Sequence, residues 1–421
     1  MEDLVNIILL TSFVGIVYYS VWVIILVLSS IRGTKEAKKD VALSKDLELY
    51  ILMPMLDEAP TVQRTLSNFI QNTQNLPQVK LGVIDDGSVD GTAQLIKDFV
   101  TKNNCENKIK LFQRVLPDAQ TGKGDALNYG LNYIRNGITS STKNVVIGVL
   151  DADAIMHEED LKKVLIEFDE DPDLALLQVK VKMHNVTNWL QRMQDIEFTT
   201  INDWIQGVRN RLDNAAASGN GQFIRLSSVE NEMAPWGNAL LEDFEFSTKF
   251  LLQDKKTKYA GDIVVYQEAV DKIKPFIRQR SRWCQGGIDC TGKYLKNIVK
   301  SKTLKFWAKF EMMFFMFLPF LTVVVGTANM IALVYAVIHI EKFWGLLLFL
   351  IAINLLLAYY MGMKYTVESK KVNLKLLLLC AGMVIYNLIL FPAIIIAFYR
   401  KLTGNNQWIK TSHGVTSDSA E

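Results

Sequence analysis

Two apolar regions set the terms on which this chain can fold. Residues 4–31 carry no charged side chain, and such a run is long enough to cross a hydrocarbon core of ~30 Å. From about residue 306 the chain is again dominated by Leu, Ile, Val, Phe and Met. A fold for this sequence must hold a water-soluble body between two membrane-seeking ends. The first run lacks the short apolar core and small-residue cleavage site of a secretory signal, so it reads as a retained anchor. Glu2 and Asp3 precede it, and Arg32, Lys35, Lys38 and Lys39 follow it. The positive-inside rule then puts the N-terminus outside and the next domain in the cytoplasm.

Later spans are expected at 319–339, 343–361 and 375–398. Residues 292–318 mix lysines with Trp307 and many Phe and Met, which reads as amphipathic helices lying in the membrane interface; the alternative is that 306–318 lengthens the following span. The division is 1–39 anchor, 40–291 cytoplasmic domain, 292–318 interfacial helices, 319–400 membrane helices and 401–421 tail. One charge pattern resists this scheme. Lys364, Lys370, Lys371 and Lys375 favour the cytoplasmic side, and so do Arg400, Lys401 and Lys410. Both groups cannot lie there if 375–398 crosses once; a break at Phe391-Pro392 would make that segment re-entrant or interfacial.

Composition removes several classes. Half the residues are hydrophobic, which excludes disorder as the main character. The net charge of +2 gives no sign of a nucleic-acid partner. Cys105, Cys284, Cys290 and Cys380 are scattered, as for reduced thiols on a cytoplasmic side. The four histidines show no zinc-ligand spacing.

Residues 40–290 alternate strand-like and helix-like stretches. Strands are expected at 49–54, 80–84, 109–113 and 145–150, with helices at 60–71, 91–100 and 124–134. Such alternation predicts an α/β domain with a mostly parallel sheet covered by helices on both faces. Ligands in these sheets bind beyond the carboxyl ends of the strands. The pairs Asp85/Asp86 and Asp151/Asp153 stand at such ends.

Several short patterns carry chemistry. In Asp151-Ala152-Asp153, side chains i and i+2 share a face of an extended chain. Two carboxylates there suit Mg²⁺ or Mn²⁺ held together with substrate phosphates; a helix N-cap is the alternative. The run Asp85-Asp86-Gly87-Ser88 could bind a ribose or base, or simply make a turn. Lys123 between two glycines could meet a phosphate, although the P-loop pattern is absent. Glu242-Asp243 lies among apolar residues, so a carboxylate with a raised pKa could serve as general base; the alternative is acids in a first helical turn. Gln279-Arg280-Ser281-Arg282-Trp283 joins guanidiniums that suit phosphates to an indole on which a sugar ring can stack. A basic interfacial segment is the alternative there.

In this order, and between membrane segments, these elements resemble the processive family 2 glycosyltransferases, the synthases of hyaluronan, chitin, cellulose and poly-N-acetylglucosamine. The resemblance runs over most of the chain, and 122–128 is also similar to the family's G-K-x-x-A-L-N stretch. It implies a GT-A, Rossmann-like domain that uses a UDP-sugar, Mg²⁺ or Mn²⁺, and a growing polysaccharide acceptor. Asp86, with Asp85 beside it, would bind the uridine; Pro54 and Glu58 match first-strand nucleotide contacts. Asp151 and Asp153 would be the D-x-D pair, with Asp153 the direct metal ligand. Lys123 and Glu242 fall among the substrate contacts, and Asp243 would be the base. Gln279, Arg282 and Trp283 would form Q-x-x-R-W, with Arg282 facing the diphosphate and Trp283 under the acceptor's terminal sugar. Asp57-Glu58 departs from the usual Asn-Glu. Trp408 to Thr411 partly matches a gating segment.

The implied reaction is inverting, processive and coupled to export across a bacterial plasma membrane. Membrane lipids surround the spans, and an accessory export subunit is left open. Rival readings are a non-processive transferase acting on a lipid acceptor, and a transporter or scaffold with an inactive sugar-nucleotide domain. A hydrolase would leave the nucleotide-type elements idle.

Overall fold

The computed structural model describes residues 6–18, 21, 46–368 and 374–404. Most of the expected anchor, and the segment from Trp408 to Thr411, lie outside these.

The central domain is built on seven strands: β1 (Glu48–Met55), β2 (Val79–Asp85), β3 (Ile109–Gln113), β4 (Val145–Val149), β5 (Leu174–His184), β6 (Gln222–Arg225) and β7 (Lys256–Glu268). They form one sheet in the order β3-β2-β1-β4-β6-β5-β7. Only β6 runs against its neighbours; the remaining pairings are parallel. The carboxyl ends of β1, β2, β4, β5 and β7 therefore share one edge.

Alternation along each strand builds the layers. On β1, Leu49, Ile51, Met53 and Met55 enter one core, while Leu52 enters the other. The first core is closed by α2 (Ala59–Thr73), α3 (Thr92–Lys102) and α5 (Glu158–Glu170), through Leu66, Phe99 and Val164 among others. The second is closed by α4 (Lys123–Gly137) and α8 (Glu242–Leu252), through Leu127, Leu131, Phe246 and Phe250. A central strand buried on both faces reads as a continuous apolar run, and all of β4 is buried. The expected mostly parallel α/β architecture is present.

Between β5 and β6 runs a helical rod: α6 (Trp189–Glu197), a π-helical turn (Phe198–Asn202) and α7 (Asp203–Arg211). Beyond β7 come α9 (Ile273–Lys300), α10 (Phe306–Ile338), α11 (Ile340–Glu368), α12 (Leu374–Cys380) and α13 (Met383–Leu402). Three segments among the described residues are long and apolar enough to cross a membrane: Phe306–Ile338, Ile340–Glu368 and Leu378–Leu402. A shorter apolar helix, α1 (Asn6–Tyr18), lies on α10, where Ser12 Oγ donates to Asn329 Oδ1 at 2.7 Å.

The structure redraws two boundaries. Residues 292–318 are not a unit of their own, because they divide between the end of α9 and the start of α10. Nor does α10 begin at Pro319, which lies inside it. Polar bonds explain the earlier start. Glu311 is buried on the first turns of α10, accepting from Arg209 Nε at 2.9 Å and from Asn214 Nδ2 at 2.7 Å. These bonds anchor α10 to α7 ahead of its apolar stretch.

The rod meets the other long helices too. Lys364 of α11 pairs with Asp203, and Tyr365 donates to Asp195. Tyr386, near the start of α13, donates to Glu197 at 2.5 Å. At the far end of α13, Arg400 Nε donates to Gln285 Oε1 at 2.8 Å, and Lys401 pairs with Asp289. Both ends of α13 are thus fastened to the α6–α9 side of the molecule.

Candidate active site

The shared strand edge opens into a cavity of about 620 Å³. Pro54, Glu58, Asp86, Lys123, Asp151, Asp153, Glu242, Asp243, Gln279, Arg282 and Trp283 all line it. Asp85 does not. It ends β2, buried, and its Oδ1 accepts the Ser88 N–H at 3.3 Å. Successive strand residues face opposite ways, so only Asp86 reaches the cavity and Asp85 organises the turn.

Register supplies Asp86 with a partner. Asp85 pairs with Gln113 across β2 and β3, so the next residues, Asp86 and Arg114, stand side by side. Arg114 Nη1 donates to Asp86 Oδ1 at 2.5 Å, and the Gln120 N–H donates to the same oxygen at 3.1 Å. Burial pushes the Asp86 carboxyl above its ordinary pKa, against the pull of Gln120 and Arg114. Arg114 escaped the sequence reading, though its place just past a strand end was a usable signal. Asp57 also has a defined role, since its Oδ1 accepts the Val89 N–H at 2.9 Å and its own N–H donates to Ser88 Oγ at 2.9 Å. These bonds hold the 85–92 loop against the start of α2.

Asp151 and Asp153 follow β4. The N-cap alternative fails, because the next helix, α5, begins at Glu158 with His157 in the cap position. Asp153 Oδ2 accepts the Glu268 N–H at 2.9 Å, which ties the end of β7 to the pair. Asp151 Oδ1 accepts from Lys123 Nζ at 2.7 Å, and Glu242 lies 3.6 Å from the same ammonium. Burial opposes the Lys123 charge, but Asp151 and Glu242 outweigh it and hold the ammonium protonated above its ordinary range.

Asp243 sits in the first turn of α8, nearly buried. Its Oδ1 accepts the Phe244 N–H at 2.7 Å. Desolvation, followed by the neighbouring Glu242 charge, raises its pKa to about 7. Gly219, at φ +80°, packs beside it; a Cβ there would stand 3.1 Å from Asp243 Oδ2. Glu242 and Asp243 do start a helix, and that first turn presents both carboxylates to the cavity.

Gln279, Arg282 and Trp283 are spaced i, i+3 and i+4 on α9 and so share one helix face. Arg280 turns away. It donates to Glu197 at 3.1 and 2.6 Å and to Tyr386 at 3.1 Å, with its guanidinium 4.6 Å from the Trp283 ring centroid. Phe198 meets the indole edge-on at 6.5 Å. The indole is thus held on two sides. Desolvation lowers the Arg282 pKa, yet a guanidinium stays charged in any such environment. Within the apolar helices, Thr322 lines the cavity, Asn329 Oδ1 accepts from Ser12 of α1, and Asn354 Nδ2 donates to Leu350 O of its own helix.

Residues 146–397 match the pattern of Glycosyl transferase family group 2. The chain belongs to that family. Residues 50–230 also match Glycosyl transferase family 2. The chain is 27% identical over 292 residues to a poly-beta-1,6-N-acetyl-D-glucosamine synthase of Staphylococcus epidermidis, covering 68% of this chain and 66% of that one. To the Staphylococcus aureus (strain COL) protein of the same name it is 24% identical over 274 residues, 65% of this chain and 62% of the other. This family member thus spans less than two thirds of the length of these relatives. In fold it is similar to a mannosyltransferase of Pyrobaculum calidifontis, solved with GDP-Man and Mn²⁺. The TM-score is 0.58 at 14% identity, covering 96% of this chain and 99% of that one.

Proposed function

We propose that the chain is an inverting, UDP-sugar-dependent hexosyltransferase that extends a β-linked exopolysaccharide processively and exports it across the membrane. One observation carries this reading. A single cavity runs from Asp86 and Asp151 past Asp243 and Trp283 to Thr322 of α10 and Ala393 of α13, so a nucleotide-side acid cluster, a base, an aromatic platform and membrane helices share one space. The names of the relatives make UDP-N-acetylglucosamine the first donor to try.

In this reading Asp86 accepts from the nucleobase, and Lys123 and Arg282 face the diphosphate. Trp283 supports the acceptor's terminal ring. Asp243 takes the proton of the acceptor hydroxyl as it attacks the anomeric carbon from the side opposite the leaving UDP. One displacement inverts the α-linked donor to a β-linked product. The carboxylates of Asp151 and Asp153 suit a hard divalent cation. Among the described residues no group of three His, Cys, Asp or Glu could hold an ion by itself, so diphosphate oxygens and water would complete the ligand set. Such an ion supplies positive charge against the departing UDP.

The test is detergent-purified protein with Mn²⁺ or Mg²⁺ and a panel of UDP-sugars, following UDP release and product size. High-molecular-weight product from one donor is expected. A small, organic-extractable product alone would establish a lipid acceptor instead, and UDP release from no donor would overturn the reading. Two further outcomes belong here. Excess EDTA should abolish turnover and added Mn²⁺ should restore it; full activity in EDTA would remove the metal role of Asp153. Trp283→Ala should shorten the polymer sharply, since it removes the large apolar face on which the acceptor ring would rest. Wild-type product length on a sizing gel would remove the platform role.

A further inference from the structure

Beside the Asp151/Asp153 pair, the ends of β4, β5, β6 and β7 are joined by a short chain of polar contacts. It starts at an antiparallel bridge between Ile155 and Tyr266, closed by two N–H···O bonds of 2.8 Å. Two residues back on one segment and two further along the other, the Glu268 N–H meets Asp153 Oδ2 at 2.9 Å. The end of β7 thus fixes the Asp153 carboxylate through its own backbone.

Asp151 is fixed by a different route. Its N–H donates to Asn220 Oδ1 at 3.3 Å, and Asn220 Nδ2 donates to Gln267 Oε1 at 2.9 Å. The Asn220 amide has one workable orientation. A backbone N–H can only donate, so it must face the amide oxygen, and the amide nitrogen then needs the Gln267 oxygen. Asn220 is 2% exposed, buried beside the cavity rather than in its lining. Burying an amide is costly unless it is paired, and both ends of this one are paired toward the acid pair. The backbone around it is equally constrained. Asn220 O accepts from Gln178 Nε2 at 2.9 Å. The Gly221 N–H donates to Val149 O, and Gly221 O accepts the Val179 N–H, each at 3.0 Å. Gly221, at φ +70°, has no room for a side chain, since a Cβ there would stand 2.6 Å from Val265 Cγ1 and 2.7 Å from Val179 Cγ2.

We propose that Asn220 and Gln267 are positioning residues for the divalent cation. They hold the Asp151 main chain at a set offset from Asp153, which the Glu268 N–H holds from the other side. The proposal rests on the metal reading of Asp151 and Asp153 above and deepens it. Ligands fixed in advance lose little freedom on binding, and groups that orient the ligands of a metal commonly carry tenfold or more of its affinity.

The test is Mn²⁺ binding to the purified full chain in saturating UDP, read from the electron paramagnetic resonance signal of free Mn²⁺. Wild type, Asn220→Ala, Gln267→Leu and the double variant are compared, and UDP affinity in excess EDTA is measured for each. Each single variant should weaken Mn²⁺ binding about tenfold and leave UDP affinity in EDTA unchanged. The double variant should lose no more than the weaker single one, because the two residues form one link. Wild-type Mn²⁺ affinity in both single variants overturns the proposal and leaves the metal reading standing. So does an equal loss of UDP affinity in EDTA, which marks a general defect of the domain. No Mn²⁺ binding by wild type with UDP overturns both. Gln267 is half-buried at the cavity, so Gln267→Leu decides alone should Asn220→Ala fail to fold.

Discussion

Asp243→Asn should reduce transfer by a factor on the order of 10³, within the range removed with a positioned general base, while donor binding survives. The substitution keeps the side chain's shape and an oxygen for the Phe244 N–H, but it removes the only proton acceptor this residue offers. The wild-type pH profile carries the same information. Burial and the Glu242 charge bring Asp243 to about 7, and the base works only when ionised. Activity should therefore fall as pH drops below about 7, tenfold per unit once the carboxyl is protonated, and level off above it. Titrating the variant with UDP separates binding from chemistry. Unchanged turnover in Asp243→Asn would sink the assignment, and an acid limb persisting in its residual activity would move the titration to another group.

Arg282→Gln should cut kcat by about 10²–10³, the loss typical of one preorganised donor facing charge that develops in the transition state. Arg282 is held on α9, on the same face as Trp283, so in the proposed reaction its charge would be in place before the UDP leaves. Glutamine keeps a donor but not the charge. The effect should fall on kcat more than on KM for the donor, because the charge it meets grows as the bond breaks. A variant that raises KM alone would make Arg282 a binding contact with no share in the chemical step.

Much of the domain could be read because local rules and the global fold agree. The first four strands and their helices follow from alternation and helical spacing, and their carboxyl ends carry Asp86, Asp151 and Asp153 where the sheet brings them together. What escaped depends on register between distant segments. Arg114 reaches Asp86 only because β2 and β3 align Asp85 with Gln113. Asp85 and Asp86 looked equivalent as text, yet adjacent residues at a strand end face opposite ways. The reversed strand β6 is four residues long, too short for a period-2 signal. Pro319 resembled a helix start, where proline is common, but buried bonds at Glu311 extend α10 past it.

The fastening of α13 at both ends has a mechanical consequence. Arg280 and Tyr386 share Glu197, and Arg400 and Lys401 hold Gln285 and Asp289 of α9. Gln279, Arg282 and Trp283 lie on that same helix beside these attachment points. A force on α13 is therefore carried straight to the residues that face the cavity, so the long apolar helix braces the site like a splint.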